Sequence, residues 1–248
     1  MTWIVTSYCM IAVFVAAFIR GYSGFGFSLL AITSMSLVLP PALILPSIFM
    51  MEIAASVTLL PSIWKEVNWS SLGLLWLGCL IGTPLGVHFL AEMPVAPMKI
   101  ALGIVVLCAV FTLYSGYTRK SMPNTAETAL TGGVLGLLNG AFGVVTPVVV
   151  FFFNSPAGAA VSRASLIAFF IGSDTIGLAF LAQKGLVTLD GFYRFMIFVP
   201  ALVSGQWFGS RSFRLANPHD FRRIVLLLLA ALAIATAIQG ASQLVNGV

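Results

Sequence analysis

Charge is what this sequence has least of. Only 8% of its 248 residues are Asp, Glu, Lys or Arg, against about 25% in a soluble domain. That excludes a soluble globular fold. It turns attention to the 60% of residues that are hydrophobic and to the mean hydropathy of +1.07. Alternating ten-residue strands are also missing, so a β-barrel is excluded; the apolar runs are continuous, as in a polytopic all-α membrane protein. Cysteines are few. Cys9, Cys79 and Cys108 are odd in number and each sits in an apolar run, which reads as small buried hydrophobes without a disulfide framework or metal site. No cofactor is expected. The opening Met1-Thr2-Trp3-Ile4 has neither a basic n-region nor a small-residue cleavage site, so the first helix of the mature protein is expected there rather than a signal peptide. The net charge of +5 is first a topology signal; the partners it suggests are a lipid bilayer and a small anion, with no nucleic acid.

The most informative stretch is Arg20-Gly21-Tyr22-Ser23-Gly24-Phe25-Gly26-Phe27, between the apolar runs Ile4–Ile19 and Phe27–Leu39. Neither run alone supplies the ~20 residues that a bilayer core needs. The glycines are therefore expected to break a helix inside the membrane, since glycine accepts backbone angles closed to other residues. Broken backbone survives at that depth only where protein or a water-filled cavity satisfies it. Further runs follow at Leu43–Ile63, Leu72–Leu90 and Lys99–Tyr117, then a polar linker over Thr118–Thr125. The pattern then restarts. Leu130–Leu138 and Val144–Phe153 flank Asn139-Gly140-Ala141-Phe142-Gly143, followed by Ala157–Ala182, Phe192–Phe213 and Ile224–Ile238. Phe25-Gly26 matches Phe142-Gly143 at an offset of 117, Lys65 matches Lys184 at 119, and Gly82/Gly86 match Gly205/Gly209 at 123. This is an internal repeat: residues 1–118 and 126–248, joined by the linker 119–125.

Charge also suggests how the halves are oriented. If each half opens with a glycine-broken hairpin followed by three transmembrane helices, the halves are inverted. One side then collects Lys65, Arg119, Lys120, Arg211, Arg214, Arg222 and Arg223, and the other Lys99, Lys184 and Arg194, a split of seven to three. If each opening pair is one continuous broken helix, the halves are parallel and the split is five to four. Only the first arrangement gives a clear positive-inside asymmetry. Inverted repeats with both termini outside the cytoplasm are therefore expected, a plan common among secondary transporters.

A helix restarting at Phe25 or Phe142 would present backbone N–H groups and a positive dipole end to a small anion. The candidate substrate-binding residues are Arg20, Ser23, Gly24, Phe25 and Gly26 at the first break, and Asn139, Gly140, Phe142, Gly143 and Thr146 at the second. Close helix packing is the competing explanation for the glycines; two breaks at equivalent repeat positions favour a site, whereas for Gly82/Gly86 and Gly205/Gly209 packing is preferred. Arg20 and Arg163 could pair with an oxyanion, or snorkel to a headgroup. Glu52 and Asp174, each in mid-run, are candidate proton carriers or counter-ions to those arginines, with the counter-ion role slightly preferred. Gly21-Tyr22-Ser23-Gly24 also reads as the G-x-S-G of an intramembrane serine protease. Activating Ser23 would need a histidine, and only His88 and His219 exist.

Across nearly the whole chain the sequence resembles the sulfite exporter TauE/SafE family, also described as the four-toluene-sulfonate uptake family. The resemblance rests on Arg20–Phe27, on Gly136-Leu-Leu-Asn-Gly-Ala-Phe-Gly143 with Pro147 after it, on Ser162-Arg163-Ala164 following Ser155-Pro156, and on Gly205-Gln-Trp-Phe-Gly209. Family members often carry Gly-Gly-Pro in the second break, where this chain has Val144-Val145-Thr146-Pro147. The resemblance implies a non-enzymatic inner-membrane transporter of small sulfur-containing or organic anions such as sulfite, sulfoacetate and related sulfonates. A channel-like anion pathway of the same fold is the alternative, and a homo-oligomer is left open.

Overall fold

In the computed structural model, residues 2–115, 124–145, 159–212 and 218–246 are described. They form helices α1 (Trp3–Ser23), α2 (Phe27–Met35), α3 (Pro41–Val57), α4 (Leu60–Ile63), α5 (Trp69–Glu92) and α6 (Val95–Ser115). After the linker come α7 (Thr125–Phe142), α8 (Ala159–Gln183), α9 (Leu189–Ser212) and α10 (Pro218–Val245). There is no strand among the described residues. Among the described residues, five helical stretches are long and apolar enough to cross a membrane: α1, α5, α6, Val161–Gln183 and Arg223–Val245. A sixth is α3 taken with Leu60–Glu66, across a bend of 52°. The protein is an all-α polytopic membrane protein. Large apolar side chains such as Leu77, Ile81, Leu227 and Ile238 face outward, which suits lipid rather than water.

Helix ends follow from local chemistry. Thr2 caps α1 by accepting from the Val5 amide at 3.5 Å. Asn124 and Glu127 form a reciprocal capping box that starts α7, with Asn124 Oδ1 accepting from the Glu127 amide at 2.8 Å; this pairing satisfies donors otherwise orphaned at a helix start. Asn124 and Thr125, expected in the linker, thus belong to the beginning of α7; residues 118–123 of that linker lie outside the described residues.

The first glycine stretch is a hairpin. Helix α1 runs on through Arg20 and Ser23 and stops where Gly24 turns left-handed at φ 84°, its amide donating to the Arg20 carbonyl at 2.6 Å. Gly26, at φ 91°, then caps α2. Such angles strongly favour glycine. Near the start of α1, the Tyr8 hydroxyl meets the Ser34 carbonyl at 3.1 Å and its Oγ at 2.9 Å, so α2 folds back alongside α1. With nine residues it rises only ~13 Å, less than half of a ~30 Å bilayer core. All of α2 except Ser34 is buried in protein, the condition under which a partial helix is tolerated at membrane depth.

The structure corrects where the helices break. Phe25 lies in the turn and the next helix starts at Phe27. Phe142 is the last residue of α7, capped by left-handed Gly143 at φ 66°, rather than the first residue of a new helix. The segment expected to restart after it, including Thr146 and Pro147, lies outside the described residues.

The most extensive helix pairings join the two halves: α5 with α7, α1 with α9, α6 with α10 and α3 with α8. Small residues allow the close approaches, as packing between membrane helices requires. A Cβ on Gly82 or Gly86 would strike the carbonyls of Gly133 or Leu137 on α7, and one on Gly205 or Gly209 those of Phe14 or Phe18 on α1. The paired glycines are 123 positions apart and the carbonyls they meet 119 apart, so the contact pattern itself repeats. Helices α7 and α9 are outside the five apolar spans; each packs along one of those spans, α7 on α5 and α9 on α1.

Polar contacts fix which helix ends lie together. Lys184, just after α8, reaches Glu92 at 3.8 Å and His88 Nδ1 at 3.4 Å, at the end of α5. Arg194 on α9 donates to the Leu43 carbonyl at the start of α3, at 2.9 Å. Lys99, early in α6, donates to Gln239 Oε1, late in α10, at 3.0 Å.

Candidate functional site

Arg20 sits in the last turn of α1 and is 2% exposed. A charge buried this deep needs partners, and the surrounding helices supply them. Its Nη1 forms an ion pair with Glu52 on α3, its Nη2 donates to Ser56 Oγ at 2.6 Å, and its guanidinium lies over the Phe170 ring of α8 at 5.5 Å. Ser28, in the first turn of α2, donates to the other Glu52 oxygen at 2.8 Å. Glu52 therefore ties α1, α2 and α3 together beside the break.

Two cavities flank the first break. The smaller, about 20 Å³, is lined by Phe25, Gly26, Ser28 and Glu52 and, from the second break, by Gly143 and Val145. It holds roughly one water. A Cβ on Gly26 would meet nothing within 4 Å. The larger cavity, about 400 Å³, brings together Arg20, Gly24, Arg163, Gln206 and Trp207. Its size falls in the range of small-molecule sites. Arg163 is exposed and lies against the turn: a Cβ on Gly24 would meet its Nε at 3.5 Å.

The second break contributes differently. Asn139 donates from Nδ2 to Asp174 Oδ1 on α8 at 2.8 Å, and both side chains are 1% exposed. Ser173 Oγ approaches the same oxygen at 3.4 Å. Gly140 faces α5, where a Cβ would come within 2.7 Å of the Thr83 carbonyl, and Phe142 is buried in the core. Of the expected second-break residues, Gly143 alone borders the small cavity; Thr146 lies outside the described residues. The Ser23 hydroxyl is spent on main-chain carbonyls, those of Ile19 at 2.7 Å and Phe25 at 2.8 Å. His88 contacts Lys184 at 3.4 Å, and the hydrogen-bond partners of Ser23 Oγ are those two carbonyls rather than a histidine.

Reading the sequence alone missed Ser56, Phe170, Gln206 and Trp207 as neighbours of the arginines. One signal was present: Ser56 follows Glu52, and Asp174 follows Phe170, by four residues, which puts each pair on one helix face.

The model of the family described as sulfite exporter TauE/SafE matches residues 9–236. A relative from Cupriavidus necator, named as a probable sulfite/organosulfonate exporter TauE, is 25% identical over 217 residues, covering 83% of this chain and 82% of its own. No solved structure matches the chain. A family match across nearly the whole length, over helices that span a membrane and meet at glycine breaks, leads to one conclusion: this chain belongs to the sulfite exporter TauE/SafE family.

Proposed function

We propose that this protein is a secondary transporter that carries a small sulfur-containing or organic anion, such as sulfite, sulfoacetate or a related sulfonate, across the cytoplasmic membrane. The observation that carries the reading is the 400 Å³ cavity where Arg20, Gly24 and Arg163 converge. It gives an oxyanion a planar guanidinium fork next to the backbone of a helix break. The relative's name, which includes sulfite and organosulfonate export, supports the same class of cargo. In this reading Arg163 receives the anion, Arg20 supplies field from behind its Glu52 partner, and the turn Gly24–Gly26 separates the entry cavity from the small one beyond. Phe25, Ser23 and Gly143 shape that constriction, and Asn139, Gly140 and Phe142 support it from behind.

We also propose that the halves, 1–118 and 126–248, are inverted and that both termini face away from the cytoplasm. The contacts of Lys184 with Glu92 and of Arg194 with Leu43 support this, because parallel halves would put the partners on opposite membrane faces. Lys99, Lys184 and Arg194 then share the less basic side.

Counterflow of radiolabelled sulfite and sulfoacetate into proteoliposomes tests the transport reading. A carrier shows transient accumulation driven by unlabelled anion inside; a channel-like pathway does not. Absence of any specific flux of either anion, or of related sulfonates, would overturn it.

A further inference from the structure

Four ionisable or amide groups meet in the protein interior beside the two breaks, and their charges do not balance. Arg20 brings one positive charge, Glu52 and Asp174 two negative ones. Glu52 takes the ion pair with Arg20. Asp174 has only neutral partners, Asn139 at 2.8 Å and Ser173 at 3.4 Å. Apart from Arg20 Nη1, which is held in the ion pair with Glu52, two atoms of this group have no hydrogen-bond partner: Asp174 Oδ2 and Asn139 Oδ1. They are the second oxygens of two head groups already joined through Nδ2 and Oδ1. Both are acceptors when Asp174 is ionised. A buried polar atom left unsatisfied is costly, and here two share one remedy.

We propose that Asp174 and Asn139 form a proton-binding site, in which a single proton on Asp174 Oδ2 is donated to Asn139 Oδ1. The carboxylate takes the proton from water and becomes neutral. The acid and the amide are then joined by two antiparallel hydrogen bonds, and both orphaned oxygens are satisfied.

The neighbours allow this. Helix α8 packs against α3, α5, α7, α4 and the Trp64–Glu66 turn. From α3 the nearest titratable group is Glu52, already paired; from α5 it is the neutral thiol of Cys79; from α7 comes the neutral amide of Asn139, and Arg20 acts from α1. Helix α4 has no titratable side chain, and Lys65 and Glu66 of the turn are exposed. Among the described residues, none of these cations makes a hydrogen bond or ion pair with Asp174. A metal ion would need six or so oxygens in its shell, as hard cations do; a proton needs only the two at hand. The site stands on its own geometry, while any use of its proton to drive anion movement rests on the transport reading above.

Infrared difference spectroscopy between acid and alkaline buffers, on the purified full-length protein, tests it. At neutral pH the wild type should show a carboxylic-acid C=O band. Asp174→Asn should remove the band, and the double variant Arg20→Met/Glu52→Leu, which takes away both charges of the ion pair, should leave it. Asn139→Ala should keep the band but move it to higher frequency, because the acid loses its hydrogen-bonded partner; this arm decides the matter even if Asp174→Asn does not fold. Lack of an acid band in the wild type, a band that survives Asp174→Asn, or one unmoved by Asn139→Ala would overturn the proposal. So would a sodium-dependent rise in melting temperature that Asp174→Asn removes, which would assign the pair to a metal ion. The band does not depend on transport: an intact band with no anion flux would sink only the transport reading.

Discussion

At the scale of single residues, the two arginines near the first break have different duties. Arg20 is enclosed by Glu52, Ser56 and Phe170, so removing one partner strands a charge. Breaking a buried ion pair from one side typically costs ~3–5 kcal/mol, whereas replacing both partners with apolar groups costs far less. Glu52→Gln should therefore lower the unfolding midpoint in detergent markedly, and the double variant Arg20→Met/Glu52→Leu should recover part of the loss. Additive losses in a double-mutant cycle would show that the pair is not coupled. Arg163 is exposed at the large cavity and free of such a burden. Arg163→Lys keeps the charge but loses the planar fork. It should leave the melting temperature unchanged while weakening sulfite or sulfoacetate binding by roughly 1–3 kcal/mol, the range for charge-assisted hydrogen bonds. Unchanged affinity by calorimetry would reduce Arg163 to a headgroup anchor.

At the scale of elements, glycines set how closely helices approach. Gly82 on α5 and Gly209 on α9 each face a carbonyl of the opposite half. A leucine at either position should force the pair apart, with lower yield of monodisperse protein. Leucine at Gly73 of α5, where a Cβ meets nothing within 4 Å, is the control and should be tolerated. The packing role of Gly82/Gly86 and Gly205/Gly209 was legible in the sequence because small residues four apart mark one helix face. A break at Gly24–Gly26 was legible too, although α1 alone, at 21 residues, proves long enough to cross. The position of its turn was not. Helix α1 continues through Arg20 and Ser23 because Gly21 stays helical and Gly24 is the first glycine of the stretch to adopt a positive φ, and sequence does not say which of several glycines does so first. Phe142 was misplaced for the same reason: Gly143, not Gly140, is the residue that turns left-handed. Ser56 and Phe170 beside Arg20 lie 36 and 150 positions away, and contacts that distant leave no periodic trace. Asn139 was picked as an anion donor, yet its amide is committed to Asp174; an amide's partner cannot be read from its neighbours in the chain.

At the scale of the whole molecule, each half is incomplete without the other, since α1 lies on α9 and α7 on α5. Inverted halves predict a definite outcome from cysteine-accessibility mapping on intact cells. With native cysteines removed, a cysteine at Asn124 should resist a membrane-impermeant reagent and one at Val248 should react. The same response at both positions would contradict the inverted arrangement, and the reverse pattern would contradict the orientation with both termini outside. The same exchange of helices places Arg20 and Gly24, from the first half, against Arg163, from the second, around one cavity, so an anion bound there is held by both halves. Titration calorimetry of purified protein with sulfite and sulfoacetate, comparing wild type with a folded Gly24→Val variant, tests that claim most directly. The wild type should bind at least one of these anions saturably, and Gly24→Val, which puts a branched side chain against Arg163 at a strained left-handed position, should abolish binding. Wild-type affinity in a correctly folded Gly24→Val protein would contradict a site at this break.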